Sequence, residues 1–384
     1  MKIIHIASFK GNVGDILNHK GFYEHYFNDF NNVSYEQVEI REFYNSAENQ
    51  KKFDKNYADI INKYDVCIIG GGGFFDARWI NSNTGTTLNF EKEFLDNVKI
   101  PVIINAMGYH EYPGITSDEI RDKFKRVIQI ISEKKNWYIS LRNDGSYIRI
   151  KEYMSENDIK KIVKVPDNGF LANVGISKNK KCEKIIGMCI TNDLFCEEYN
   201  KSLTTERFNN IIANFICDYA KKGWKIILFP HTPADVETIN KLLINIPDNI
   251  KRNAINTAPY SADSEKSVDD LINWYERCRL VVGMRFHSCI INIDLSIPVI
   301  ALAGHRQLEA LYEELELNEY CIKLDNEDFV KKLDRCISEI NSEDNYQKLV
   351  DRYSDICKRM KCMAVKNKKD MYVFLERNGV INEQ

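Results

Sequence analysis

Ten short apolar runs, mostly rich in β-branched residues, alternate with amphipathic stretches along this chain. They lie at 2–8, 66–69, 102–106, 138–141 and 164–165 in the first half, and at 185–190, 225–229, 280–282, 298–301 and 321–324 in the second. Near-continuous apolar strands separated by helices predict parallel sheets covered on both faces, an α/β fold. Helical patterns fall at 15–30, 54–64, 88–97, 118–132 and 145–154. The clearest is 206–222, where Phe208, Ile211, Ile212, Phe215, Ile216 and Tyr219 recur at helical spacing and Gly223 supplies the stop. The tail from 344 to 376 reads as one or two helices. A chain of 384 residues has room for two to three domains. The polar stretch 177–184 divides it best, into a Rossmann-like domain over 1–178 and a second over 179–384. Two such domains facing a central cleft is the architecture expected.

Composition narrows the class of function. The formal net charge is −3 and no Lys/Arg tract stands out, which argues against nucleic acid as a partner. The longest apolar runs are far too short to span a bilayer. The opening MKIIHIAS enters a strand pattern without an apolar leader segment, so a cytoplasmic protein is expected. Of eleven cysteines, several, including Cys67, Cys189, Cys217 and Cys289, sit in apolar runs as small hydrophobes. There is no CxxC pair and no Cys/His knuckle, and no metal site is expected.

In open α/β sheets ligands gather at the carboxyl ends of strands, so the loops after the strands are where chemistry is sought. After the first strand comes Gly11-Asn12-Val13-Gly14-Asp15. Its glycines permit close backbone approach, and the helix beyond offers N–H groups to an anion or hydroxyl, with Asp15 as a candidate cap. After 65–69 come four glycines, Gly70 to Gly73, then Phe74, Phe75 and Asp76. Each glycine carries ~0.5–1 kcal/mol of entropic cost relative to Ala in a regular element. The run therefore implies that backbone lies close to something, a ligand such as would meet Gly72 and Gly73, or else a neighbouring helix. The segment 138–146 delivers Arg142 to a strand end with Asp144 beside it, and Asp167 follows the next strand. His110 and Glu111 follow 102–106 and could serve an acceptor. The sharpest segment is Gly283-Met284-Arg285-Phe286-His287-Ser288, where an apolar strand feeds an apolar helix. A guanidinium, an imidazole and a helix N-terminus together predict an anion-binding notch with a titratable group attached. His231 and Asp235 occupy the corresponding rim after 225–229.

Taken in order, GNVGD, GGGGFFD, SLRNDGS, VPD and especially GMRFHS resemble the polysaccharide pyruvyl transferase family, over residues 5 to 305. That resemblance implies a fold similar to GT-B glycosyltransferases. It also implies transfer of a pyruvyl group from phosphoenolpyruvate to a sugar, generally as a ketal across two hydroxyls, with no cofactor beyond the donor substrate. Arg285 and His287 fall on positions resembling the family's phosphoenolpyruvate-handling pair, and Arg142 and Asp76 on further motif positions. The chain departs from the pattern in lacking an Arg over 187–192 and in carrying His231 where a Gln or another polar residue is usual.

The implied catalytic set is His287 as proton donor with Asp76 or Asp15 as base. Arg285, Ser288, Arg142, Gly72, Gly73, Asn12, His231 and His110 are the expected substrate contacts. The N-terminal half is expected on the acceptor side and the C-terminal half on the donor side. The acceptor would be a saccharide or a lipid-linked saccharide, and the latter would bring the protein to the inner face of the membrane. Two other readings stay open. One is a GT-B glycosyltransferase using a nucleotide-sugar, with Glu309 imitating a ribose ligand. The other is a catalytically silent sugar- or anion-binding protein.

Overall fold

The apolar runs become the strands of two all-parallel six-stranded sheets in the computed structural model, which describes residues 1–44, 50–174, 184–194, 203–325 and 327–381. The strands are β1 (Lys2–Ala7), β2 (Ser34–Glu39), β3 (Val66–Gly70), β4 (Phe75–Ala77), β5 (Val102–Met107), β6 (Tyr109–Glu111), β7 (Trp137–Arg142), β8 (Ile162–Val165), β9 (Ile185–Cys189), β10 (Lys225–Leu228), β11 (Ile255–Thr257), β12 (Leu280–Gly283), β13 (Val299–Ala303) and β14 (Cys321–Lys323). The first sheet has the order β2-β1-β3-β5-β7-β8 and the second β11-β10-β9-β12-β13-β14, while β4 and β6 form a separate parallel pair. The expected α/β class with two parallel sheets is therefore what the chain adopts.

Contacts divide the chain into two units. One comprises Met1–Phe9, Asn18–Ala172 and Met360–Gln384, and the other Lys10–Leu17 and Asn173–Arg359. Most of the polar stretch 177–184, read as the divider, lies outside the described residues, as do Cys182 and Cys196.

In the first unit the two faces of the sheet can be followed residue by residue. Ile4, Ile6, Cys67, Ile69, Val102 and Ile104 point into one apolar cluster, and Ile3, Val66, Ile68 and Ile103 into another. This alternation buries both faces, as a sheet wrapped by helices requires. One face is covered by Phe22, Tyr26, Ala364, Met371 and Leu375, the last three on the helix Glu343–Arg377. The tail is thus one continuous helix. The stretch expected as a helix over 15–30 is α-helical over Val13–Phe22 and widens to a π-helix over Tyr23–Phe27.

Capping follows the expected chemistry. Ser117 accepts from Ile120 N at the start of Asp118–Glu133, and Thr204 from Arg207 N at the start of Thr205–Lys221. The strands that the hydrophobic pattern missed are β2 and β11, both edge strands with mostly exposed or half-exposed side chains, and the three-residue pair β4 and β6. Cys67, Cys189, Cys217 and Cys289 are buried and free. Among the described residues no helix is long and apolar enough to cross a membrane.

Candidate functional site

In the second sheet β9 lies between β10 and β12, so the crossovers diverge there and leave a crevice at the carboxyl ends of those strands. Among the described residues, the side chains that bond the Arg285 guanidinium come from the segments after β9 and β10. Arg285 follows β12 and is the N-cap of the helix Phe286–Asp294. Its Nε donates to Asp235 Oδ1 at 3.1 Å and Oδ2 at 3.2 Å, and its Nη2 to Asp235 Oδ1 at 2.6 Å. Nη2 also reaches Thr232 Oγ1 at 2.8 Å, Asp193 Oδ2 at 2.9 Å and Thr191 Oγ1 at 3.0 Å. Asp235 is fully buried, near the start of the helix Pro233–Ile244, and its Oδ2 accepts the backbone N–H groups of His231 (2.8 Å) and Thr232 (3.1 Å). Burial opposes the Arg285 charge, but Asp235 beside it holds the guanidinium protonated, above its ordinary range.

Two features differ from the sequence reading. The side-on fork of Arg285, Nε with Nη2, is already held by Asp235, so an anion can be gripped in two-point fashion only at the Nη1–Nη2 end. The guanidinium charge is also met by two carboxylates, Asp235 and Asp193. The cationic excess expected of this notch is therefore not supplied by its side chains, and the N-terminal end of Phe286–Asp294 is its remaining positive pole.

His287 is the second residue of that helix and is buried. The loop after β1 lies against it. A β-carbon built on Gly14 would stand 2.2 Å from His287 Nδ1 and 2.6 Å from its Cβ. The loop is fixed by Gly11 N to Ala262 O (2.8 Å), Val13 N to His231 O (3.1 Å) and Tyr260 Oη to Gly11 O (3.2 Å). Asn12, rather than Asp15, caps the helix: its Oδ1 accepts Gly14 N at 3.0 Å and its carbonyl accepts Ile16 N at 3.3 Å. Asp15 sits buried in the first turn.

His231 contributes backbone to this arrangement. Its imidazole is buried, with Nε2 at 2.8 Å from Tyr275 Oη, and burial pushes its pKa down to about 3. Ser288 is buried and its hydroxyl donates to Arg285 O at 2.6 Å. Glu309, on the helix Arg306–Glu314, is ion-paired with Lys323.

The first unit holds the other expected residues. Arg142, at the end of β7, donates from Nε to Asp144 Oδ2 at 2.6 Å and from Nη1 to Asp167 Oδ2 at 3.1 Å, with both carboxylates fully buried. Arg142 thus pairs with the neighbouring Asp144, and it does so in the interior. Asp144 also accepts from the Ser146 hydroxyl, and Asp167 from Asn18 Nδ2 at 3.0 Å and Gly169 N at 2.8 Å. Burial works to raise the Asp144 pKa, but the Arg142 charge, His110 and Ser146 together hold it below the usual carboxylate range. His110 Nε2 lies 3.7 Å from Asp144 Oδ2, and burial lowers the imidazole pKa. Asp76 pairs in register with His110 across β4 and β6, accepting from Tyr112 Oη at 2.9 Å and Arg78 Nη2 at 3.2 Å.

The glycine run serves this interior. A β-carbon on Gly71 would lie 2.7 Å from Asn18 Oδ1, one on Gly73 2.7 Å from His110 Nε2, and one on Gly72 2.6 Å from the Phe74 ring. Gly70 and Gly71 have φ of 119° and 87°, which side chains disfavour. The close approach that the run implies is made to the protein's own side chains.

A family model described as polysaccharide pyruvyl transferase matches residues 12–306. No curated protein matches the sequence. Among solved structures, the chain is similar to UDP-GlcNAc 2-epimerase from Neisseria meningitidis bound to UDP-GlcNAc, with a TM-score of 0.53 and 11% identity over 95% of this chain and 100% of that one. It is also similar to UDP-GlcNAc 2-epimerase from Methanocaldococcus jannaschii, in complex with UDP-GlcNAc and UDP, with a TM-score of 0.52 and 15% identity over 94% and 100%. At those identities the likeness is one of fold.

Proposed function

The chain belongs to the polysaccharide pyruvyl transferase family, and from that premise we propose that it moves a pyruvyl group from phosphoenolpyruvate to a saccharide, forming a ketal and releasing phosphate. The observation that carries this reading is the pair Arg285 and His287, at the start of one helix at the sheet's switch point, with the imidazole packed under Gly14.

Phosphoenolpyruvate carries a carboxylate and a phosphate on one carbon, C2. A proton delivered by His287 to the methylene carbon C3 leaves C2 as an oxocarbenium-like electrophile. A sugar hydroxyl oxygen then bonds to C2 and gives up its proton. When the C2–O bond to phosphate breaks, phosphate takes the bonding electron pair. The second hydroxyl oxygen takes its place on C2, and its proton completes the balance. One diol and one phosphoenolpyruvate thus give one ketal and one inorganic phosphate. Arg285, through its Nη1–Nη2 end, and the helix N-terminus would hold the donor's anionic groups. Of the two carboxylates considered as the base, Asp15 follows Gly14 in the unit that contains His287, and Asp76 belongs to the other unit. The family name implies a polysaccharide acceptor, for which a free or lipid-linked saccharide is the proposed form.

The test is phosphate release from phosphoenolpyruvate across a panel of acceptor saccharides, free and lipid-linked. The wild-type protein should release phosphate only with its acceptor, and His287→Ala should lose that activity while keeping its thermal transition. Wild-type turnover by His287→Ala would refute the role. Stabilisation by a UDP- or GDP-sugar but not by phosphoenolpyruvate would point to glycosyl transfer instead.

A further inference from the structure

Two carboxylates share Arg285, and they are held very differently. Asp235 is fully buried, contacts both Nε and Nη2 of the guanidinium, and accepts two backbone N–H groups besides. Asp193 is 43% exposed and meets the guanidinium through Oδ2 alone, while its Oδ1 accepts from the Thr191 hydroxyl at 2.6 Å. Nη2 has two hydrogens and four acceptors within 3.0 Å, so its bonding capacity is exceeded. Nη1 has no hydrogen-bond partner among the described residues.

An oxyanion gripped end-on takes one hydrogen from Nη1 and one from Nη2. Asp193, Thr232 and Thr191 all compete for Nη2 beside Asp235, and of these three only Asp193 sets a like charge beside the incoming anion. Asp235 cannot give way without leaving a buried charge unpaired. Asp193 can, because water receives it.

We propose that Asp193 is a specificity-determining residue that stands in for the donor's anionic group on Arg285 and is displaced when the donor binds. This rests on the reading of Arg285 as a donor-binding residue. By holding a carboxylate on the guanidinium, the protein discriminates against weak monoanions. A ligand must bring enough negative charge, or a second point of attachment, to exchange with a tethered competitor. Phosphoenolpyruvate brings both.

The experiment compares wild type with Asp193→Asn and Asp193→Ala by calorimetric titration with inorganic phosphate and with phosphoenolpyruvate, and by the KM and kcat of phosphate release. Removing the competitor should tighten the phosphate and phosphoenolpyruvate Kd by roughly three- to tenfold. The gain should appear in KM rather than in kcat. Chloride and acetate should also become better inhibitors of the variants than of wild type. Unchanged or weaker anion binding in both variants would overturn the proposal and make Asp193 a positioning residue for Arg285. The phosphate titration is read without turnover. If wild type releases no phosphate from phosphoenolpyruvate, the transferase reading fails while the competition at Arg285 is still measured.

Discussion

Gly14→Ala should cut turnover by about 10²-fold while leaving the protein folded. Gly14 is the second residue of the helix Val13–Phe22 and is not among the residues with positive φ, so Ala is compatible with its backbone. On helix propensity alone the change would stabilise by ~0.5–1 kcal/mol. The new methyl, however, would stand 2.2 Å from His287 Nδ1 and 2.6 Å from His287 Cβ. Comfortable contact begins near about 3.5 Å, so the gap is short by about 1 Å. Rotating the imidazole relieves the first clash but not the second, because Cβ is fixed by the helix that carries it. Nor does the loop withdraw freely, since Gly11 N and Val13 N are bonded to Ala262 O and His231 O.

The helix start or the loop must therefore shift, at about 1–3 kcal/mol for overpacking, leaving a net stability loss of no more than about 2.5 kcal/mol. A catalytic group displaced by about 1 Å loses rate by about 10²-fold. Phosphate-release kinetics read the activity, and denaturant unfolding reads the stability. Undiminished kcat/KM in Gly14→Ala, with a raised melting temperature, would refute the placement of the loop against the imidazole.

The other predictions concern charge. Arg142→Met removes the cation between two fully buried carboxylates, Asp144 and Asp167, and should cost about 3–5 kcal/mol in denaturant unfolding. A loss under about 1 kcal/mol would mean that the carboxylates find other compensation. The depressed Asp144 pKa contributes stability above the ordinary carboxylate range that is lost as pH falls through the folded value, and Arg142→Met should reduce that contribution. His231 is held neutral by burial, with its pKa pushed down to about 3, whereas an unfolded histidine titrates near about 6.5. Between those values the unfolded chain binds the extra proton, so stability falls with falling pH by about 1.4 kcal/mol per unit from this group. His231→Gln should flatten that slope without abolishing it, because burial also lowers the His5 pKa. An unchanged slope would show that His231 is accessible to protons in the folded state.

How far the sequence carried depended on whether a feature lies within one element or between several. The strands with both faces buried were legible because nearly every position in them is apolar, as in Val66–Gly70 and Val299–Ala303. β2 and β11 were not, because an edge strand needs little apolar surface. Arg285 and His287 stood out because they join a strand to a helix within one short segment. Thr191 and Asp193, more than ninety residues away, carried no local signal for their place on Arg285. The glycine run implied close approach to a ligand or a neighbouring element, and the approach seen is to the protein's own side chains. Its neighbours, Asn18, His110 and Arg142, come from other segments that no spacing could reveal.

Determined by sequence alone, then, were the α/β class, the alternation that buries both sheet faces, and the strand-to-helix turn bearing Arg285 and His287. Each follows from hydrophobic period and local backbone preference, which act over a few residues. Tertiary structure decided that Asp235 and Asp193 share one guanidinium, that Arg142 is interior, and that Gly14 meets the imidazole. The shared guanidinium depends on strand order, because it is the order β10-β9-β12, not the distance along the chain, that brings three separate segments to a single crevice.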